Sequence, residues 1–174
     1  DDDAPVAPSL STINAECSVT VTAPTAQDNC AGTVTGTTTD PLTYTLQGNY
    51  KITWKFTDVN GNSSTAEQNV VIKDQTNPTI TAPAAKTVSA DAGNCTASNV
   101  SLGTPTTGDN CSVASVTNNA PATFPLGNTT VTWKVTDGSG NTATATQVVT
   151  VQDKQNPTIT APAAKTVSAD AGNC

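Results

Sequence analysis

The sequence lacks several residue types on which enzymes and nucleic-acid-binding proteins depend. None of its 174 residues is His, Met or Arg, and its seven basic residues are all Lys. Without His the commonest general base is missing, and neither a Ser-His-Asp nor a Cys-His arrangement can form. The lysines are outnumbered by fourteen acidic residues, and the resulting net charge of −7 disfavours binding to a phosphate backbone. We therefore expect neither an enzyme nor a nucleic-acid-binding protein.

Aromatic residues and long apolar runs are also scarce. Trp, Tyr and Phe occur twice each. No segment is long and apolar enough to predict a membrane span, and no stretch has apolar residues at helical spacing. Threonine is abundant instead, and it favours β-strands with hydroxylated outer faces. The composition therefore predicts an all-β protein.

A nineteen-residue segment occurs twice without change. Residues 77–95 and residues 156–174 both read NPTITAPAAKTVSADAGNC, with an offset of 79 residues. A repeat of this period predicts two complete units and the beginning of a third. We place the first unit at residues 1–74 and the second at residues 75–153. Residues 154–174 would then hold the linker and first strands of a third unit.

Each complete unit contains a predicted β-hairpin. Apolar residues alternate with Thr and Lys in residues 52–57 (ITWKFT) and 131–136 (VTWKVT). This period of two predicts half-buried strands, with Trp54 and Trp133 facing the core. A turn rich in Gly and Asn follows each strand, as tight hairpins require. The strands that complete the hairpins are predicted at residues 63–73 and 142–152.

Further short strands are predicted in the second unit, at residues 79–81, 86–89, 97–102, 113–117 and 122–124. About seven short strands per unit, with turn signals every 8 to 12 residues, are typical of an antiparallel β-sandwich of immunoglobulin-like form. A small barrel is the alternative. Because Pro stiffens the linkers at residues 74–78 and 153–157, we expect tandem sandwiches that form an elongated, semi-rigid rod.

The five cysteines are the strongest chemical signal in the chain. With no His and no CxxC motif they argue against zinc and thiol redox chemistry, and they indicate disulfides in an extracellular compartment. The preferred pairing lies within each unit, Cys17 with Cys30 and Cys95 with Cys111. Each bond would close a loop of about fifteen residues and contribute roughly 3 kcal/mol. The alternative joins neighbouring units, for instance Cys17 with Cys111. Under the first pairing, the partner of Cys174 lies outside the chain.

Aspartates recur at equivalent places: before the second cysteine, at the hairpin turn and in the linker (Asp28 and Asp109, Asp58 and Asp137, Asp74 and Asp153). Asp commonly caps its own turn, and turn capping alone would explain these positions. An immunoglobulin-like topology, however, would bring Asp109 and Asp137 to the pole that faces Asp74. Three carboxylates with backbone carbonyls are ligands that Ca²⁺ prefers. Calcium between units is therefore the one cofactor that the sequence suggests.

These segments together resemble the hyalin repeat. The shared features are a D-x-x-x-P linker, a GNC and a DNC cysteine, the segment FPLGNTTVTWKVTDGSGNTA and a period near 80 residues. The first unit matches less well than the second, and a second cysteine pair present in many members is missing. The resemblance implies an immunoglobulin-like sandwich used in extracellular adhesion. The near-identical copies most resemble the very large surface adhesins of gliding or biofilm-forming Bacteroidota.

We therefore expect a non-catalytic structural repeat of a cell-surface adhesin or filament, acting as a disulfide-stapled stalk in adhesion or gliding motility. Its partners would be neighbouring repeats, like chains in a filament, and surfaces or polysaccharides. Two alternatives stay open. One is a carbohydrate- or surface-binding module, which exposed aromatic platforms would favour. The other is a self-assembling fibre subunit in which residues 156–174 add a strand to a neighbour.

Overall fold

The computed structural model describes residues 2–169, 171 and 172, and regular structure in this part of the chain is entirely β. The first unit contains β1 Ile13–Ala15, β2 Val19–Thr20, β3 Thr25–Asp28, β4 Gly32–Thr35, β5 Thr43–Tyr44, β6 Gly48–Thr57 and β7 Ser63–Ile72. The second contains β8 Thr79–Thr81, β9 Lys86–Ser89, β10 Thr96–Ser98, β11 Thr106–Gly108, β12 Val113–Asn118, β13 Thr123–Pro125, β14 Gly127–Asp137 and β15 Thr142–Gln152. The described residues include no helix that is long and apolar enough to cross a membrane.

Both predicted hairpins form. β6 pairs antiparallel with β7, and β14 pairs in the same way with β15. The side chains of β6 alternate between exposed and buried along its second half, as the period of two predicts. In the connecting turns Gly61 and Gly140 have φ angles of 97° and 93°. Only Gly adopts this conformation without strain, which explains why both turns contain it.

Each unit is a β-sandwich of immunoglobulin-like form. In the second unit one sheet has the strand order β12-β14-β15-β9, with β9 parallel to β15. The ladders β10–β13 and β8–β11 supply side chains to the other side of the core. The first unit repeats the scheme, with β1 parallel to β7 and β2 paired with β5. The predicted sandwich is therefore confirmed.

Each unit has its own hydrophobic cluster. Trp54 is 1% exposed in the first cluster, and Trp133 is 6% exposed in the second. Both Trp residues thus face inward, as the alternation predicts. The buried members of the first cluster are Val21, Ala26, Tyr44, Ile52, Trp54, Phe56, Val70 and Ile72, and those of the second are Ala97, Phe124, Val131, Trp133, Val149 and Val151.

A buried glutamine satisfies the indole N–H of each core Trp. Trp54 Nε1 donates to Gln68 Oε1 at 3.0 Å, and Trp133 Nε1 donates to Gln147 Oε1 at 3.1 Å. The Gln147 amide then donates to the carbonyl oxygens of Ala84 and Leu102, each at 2.9 Å. A buried indole N–H left without an acceptor would be costly. The glutamine therefore lets a Trp occupy the core and ties two connecting segments to it.

Strand β10 is shorter than predicted. The expected strand at residues 97–102 ends at Ser98, and the next residue, Asn99, has a φ of 51°. This left-handed conformation cannot continue an extended strand. Asn tolerates it better than most residues do, so the Asn marks the end of the strand.

Residues 154–169 differ from the prediction, since they form no strand and their side chains are exposed. Their counterparts in the second unit, β8 and β9, pair with β11 and β15. A strand needs partners for its backbone N–H and C=O groups, and among the described residues no strand pairs with this segment. The prediction about Cys174 falls outside the described residues.

Replacement of Gln147 by Leu tests the buried Trp–Gln contact. We expect a loss of roughly 2 to 3 kcal/mol in the free energy of unfolding, because the indole N–H of Trp133 would lose its acceptor inside the core. Urea unfolding measures this loss. The matched control is Thr146→Val, which changes the adjacent exposed residue and should stay within about 0.5 kcal/mol of wild type. A Gln147→Leu variant as stable as the control would contradict the role assigned to the glutamine.

Candidate functional site at the boundary between the units

A disulfide crosses the boundary between the units. Cys17 and Cys111 are bonded, with their Cα atoms 5.2 Å apart and a sequence separation of 94 residues. Cys17 lies between β1 and β2 of the first unit, and Cys111 lies in the loop before β12 of the second. The inter-unit pairing that the sequence left as the alternative is the one that forms.

The preferred pairings, Cys17 with Cys30 and Cys95 with Cys111, are wrong. The carbonyl of Cys95 accepts the N–H of Leu126, which lies just before β14 begins. At the other end of β14, Asp137 pairs with Val113, two residues after Cys111. The eleven residues of β14 span about 34 Å. Disulfides require Cα atoms about 4.4 to 6.8 Å apart, so two cysteines at opposite ends of the same strand cannot bond.

Cys30 and Cys95 are free and exposed. Each is nevertheless the counterpart of a bonded cysteine. Cys30 follows Asp-Asn in the first unit as Cys111 does in the second, and Cys95 aligns with Cys17. Each unit therefore has two cysteines, one equivalent to Cys17 and one equivalent to Cys111. The disulfide at the boundary joins the first kind in one unit to the second kind in the next.

Hydrogen bonds surround the disulfide. Asn110 Nδ2 donates to Glu16 Oε2 at 2.6 Å, and Thr76 Oγ1 donates to the same oxygen at 2.9 Å. Asn141 Nδ2 lies 3.3 Å from the carbonyl oxygens of both Asp74 and Thr76. Asn110, next to Cys111, and Asn141, in the hairpin turn of the second unit, thus contact the first unit or the linker, so hydrogen bonds as well as the disulfide hold the boundary.

Two of the three predicted calcium ligands come together at this boundary. Three atoms lie within 4.8 Å of one another: one carboxylate oxygen of Asp74, one of Asp109, and the Sγ atom of Cys111. Asp74 Oδ1 accepts the N–H of Thr76 at 3.0 Å. Asp109 Oδ2 accepts the N–H groups of Cys111 and Ser112 at 2.9 and 2.8 Å. One oxygen of each carboxylate is therefore used in local turns, and the other is left for a different partner.

The third predicted ligand, Asp137, is not part of this group. Asp137 Oδ1 accepts two backbone N–H groups of its own turn, each at 2.8 Å, and Oδ2 accepts Asn141 Nδ2 at 2.8 Å. Asp58 makes the same contacts in the first unit. Because both carboxylate oxygens are already hydrogen-bonded, turn capping accounts for Asp58 and Asp137.

These turn contacts change the acidity of both aspartates. Burial raises the pKa of Asp137. Hydrogen bonds from Asn141 and from turn backbone N–H groups lower it, and together they outweigh the effect of burial, so the pKa lies below its ordinary value of 3.8. The same opposing effects, with Asn62 as the main donor, lower the pKa of Asp58. Both turns are therefore built around an ionised carboxylate.

Comparison with known proteins identifies the family. The HYR domain profile matches residues 73–151. Over 150 residues the chain is also 35% identical to Hyalin of Strongylocentrotus purpuratus. The chain belongs to the hyalin repeat family. The aligned region is 81% of this hyalin-repeat chain but only 12% of that relative.

Solved structures similar to this hyalin-repeat chain include two cadherin ectodomains. The extracellular domain of Protocadherin GammaB4 covers 88% of this chain and 33% of its own, at a TM-score of 0.36 and 15% identity. The EC22-24 segment of mouse Cadherin-23 covers 87% of this chain and 63% of its own, at a TM-score of 0.33 and 14% identity. The fold assignment of the hyalin-repeat chain rests on its strand pairing, since these scores are low.

Sequence reasoning missed Glu16 and Asn110 as boundary residues of the hyalin repeat. The available signal for Glu16 was a sequence difference between the units: Ala15-Glu16 precedes Cys17 in the first unit, whereas Gly93-Asn94 precedes Cys95 in the second. For Asn110 the signal was its place in the repeated Asp-Asn-Cys triplet. Neither signal indicates a contact, which requires the two loops to meet across the boundary.

The Asp58 turn predicts a specific pH dependence. A folded-state pKa below the unfolded value means that the carboxylate contributes stability above pH 3.8, and that this contribution is lost as the pH falls through the lower folded-state pKa. We expect Asp58→Asn to be less stable than wild type at pH 7. The difference should narrow as the pH approaches 2. Urea unfolding midpoints at several pH values measure it.

The control for this prediction is Val59→Asn, which alters an exposed residue of the same turn and no titratable group. It should keep the wild-type pH dependence. A constant difference between Asp58→Asn and wild type from pH 7 to pH 2 would show that ionisation of Asp58 does not stabilise the turn.

Proposed function

We propose that the chain is a non-catalytic structural repeat of an extracellular adhesin or filament, and that it acts as a semi-rigid stalk in adhesion or gliding motility. Membership of the hyalin repeat family supports an adhesion role. The observation that carries the stalk proposal is the bond between Cys17 and Cys111. It joins two units that have separate cores, and a joint of this kind restricts bending and extension together.

The position of the bond also determines how the chain would bear load. A force applied to the two ends of the chain passes from Cys17 to Cys111 through the sulfur atoms. Most of the first unit, from β2 to β7, lies inside the bridged loop and outside this load path. The bridged residues would otherwise extend by about 310 to 340 Å. A stalk with such bridges would stay short under forces that unfold an unbridged domain.

The two free cysteines support repetition of the same link. Cys95 is the counterpart of Cys17 and Cys30 is the counterpart of Cys111, and both are exposed. In our proposal, each pairs with the complementary cysteine of a neighbouring copy of the repeat. The partners of the chain would then be repeats like itself, joined in a covalent series. Disulfides of this kind persist in oxidising compartments, which agrees with an extracellular location.

A carbohydrate- or surface-binding role is the second candidate. A cleft of about 320 Å³ in the first unit is lined by Tyr44 and Tyr50 among other residues. The two rings have centroids 4.6 Å apart, and Tyr50 is only half-buried. Beside them Leu46 is 73% exposed. Aromatic rings of this kind can stack on sugars, so glycan binding that is lost in Tyr50→Ala would favour this candidate.

The stalk proposal predicts the extension of single molecules under force. With the chain held at its two ends through tags, the oxidised protein should release about 310 to 340 Å less contour length than the protein treated with dithiothreitol, because the bond bypasses a sequence separation of 94. Force spectroscopy measures this difference. Peptide mapping by mass spectrometry should find the Cys17–Cys111 pair in the oxidised sample.

Two variants make this test specific. Cys111→Ser should extend fully without a reductant, whereas Cys95→Ser, which removes a free cysteine, should behave as wild type. Equal extension of the oxidised and reduced chains would exclude a load-bearing bridge. If the oxidised Cys95→Ser variant extended fully, the shorter extension of the wild type would be due to a disulfide of Cys95 and not to the Cys17–Cys111 bond.

A further inference from the structure

Two carboxylate oxygens at the boundary are buried and have no hydrogen-bond donor among the described residues. Asp74 is 4% exposed. Asp74 Oδ2 and Asp109 Oδ1 are both buried and have no hydrogen-bond partner among the described residues. Buried polar atoms are nearly always paired, and a charged oxygen without a partner is especially unfavourable. The arrangement therefore needs a positively charged or donating group that the protein does not provide.

No side chain of the described residues supplies that charge. The ion pair found in residues 2–169, 171 and 172 is between Lys51 and Glu67, on β6 and β7. Of the side-chain amides beside these carboxylates, Asn141 Nδ2 is directed to Asp137 and to backbone carbonyls, and Gln47 Nε2 is directed to the carbonyl oxygen of Glu16. Two carboxylates whose oxygens lie within 4.8 Å of each other repel when no counter-charge is near. A bound cation would remove both problems.

We propose that Asp74 and Asp109 bind a calcium ion between the units. Cys111 Sγ lies in the same group but is part of a disulfide, so it offers no thiolate to a soft metal such as zinc. Only oxygen ligands remain, and these suit a hard cation. Oxygen atoms up to 4.8 Å apart can lie on either side of Ca²⁺, whose bonds to oxygen are about 2.3 to 2.6 Å. Mg²⁺ requires about 2.0 to 2.1 Å and would draw the two oxygens closer together.

The ligand set also sets the expected strength of binding. Two protein carboxylates fill only part of a calcium coordination shell of six to eight oxygens, and water would complete it. Sites of this kind bind with dissociation constants of roughly 0.1 to 1 mM, the range of extracellular modules. The ion would be bound where calcium is plentiful and released where it is scarce.

The first unit repeats half of the site. Asp28, the counterpart of Asp109, accepts the N–H groups of Cys30 and Ala31 through Oδ1, and its buried Oδ2 has no hydrogen-bond partner in the described part of the chain. Asp153, the counterpart of Asp74, is exposed and accepts the N–H of Gln155. A complete site therefore requires the linker aspartate of one unit and the Asp-Asn-Cys aspartate of the next. This inference rests on the boundary geometry and does not depend on the adhesion role.

Thermal unfolding and calorimetric titration of the oxidised chain test the proposal, with CaCl2 as the ligand and NaCl at matched ionic strength as the reference. At 10 mM CaCl2 we expect the melting temperature of wild type to rise by about 5 °C or more over the reference. Asp74→Asn and Asp109→Asn should each abolish this rise. Asp153→Asn, which changes the equivalent exposed aspartate, should keep it.

The variants also give a result that a merely structural role would not produce. Without calcium, Asp74→Asn should melt at or above the wild-type temperature, because the amide removes one of the two repelling charges. With calcium the order should reverse. The proposal is overturned if CaCl2 stabilises wild type no more than NaCl does, or if Asp74→Asn responds to calcium as wild type does. A larger rise with MgCl2 than with CaCl2 would overturn the choice of ion.

Discussion

The covalent bond between Cys17 and Cys111 is the constraint on which the rest of the boundary depends. Each sandwich has its own core and needs no help from the other to bury its Trp. The relation between the sandwiches rests instead on one disulfide and a few polar contacts around it. Polar contacts between exposed loops are weak by themselves, because water competes for them. The bond keeps the loops together, so that these contacts persist.

At the boundary, the aspartate carboxylates do not find all their hydrogen-bond donors within their own turns. In the hairpin turns, Asp58 and Asp137 find all their hydrogen-bond donors within five residues. Asp74 and Asp109 do not, since each uses one oxygen locally and leaves the other buried and unpaired. The contrast distinguishes aspartates whose oxygens are both satisfied within their own turn from aspartates that, in our proposal, also bind a cation. In a family of repeats, such a ligand would couple the stiffness of the array to its ionic surroundings.

Cysteine pairing and carboxylate clustering are linked by the same geometry. The loop before β12 carries both Cys111 and Asp109, and it meets the end of the first unit, where Cys17 and Asp74 lie. Because each unit has one cysteine and one aspartate of each kind, a single mode of contact between neighbours would reproduce both features at every boundary. The Tyr cleft is different, since it depends on Tyr50, and the second unit has Thr at the matching place. The cleft is therefore a property of one unit, whereas the boundary is a property of the repeat.

Short-range sequence patterns determined the strands, while the partners across the boundary depended on tertiary structure. The alternation around Trp54 and Trp133 and the Gly-containing turns predicted both hairpins, because strand period and turn conformation arise from neighbouring residues. Cysteine pairing could not be read in this way. Cys95 and Cys111 are close in sequence but lie at opposite ends of β14, whereas Cys17 and Cys111 meet only after two units have folded and docked. Asp74 and Asp153 occupy the same place in the repeat, yet only Asp74 is buried, because burial depends on what packs against it.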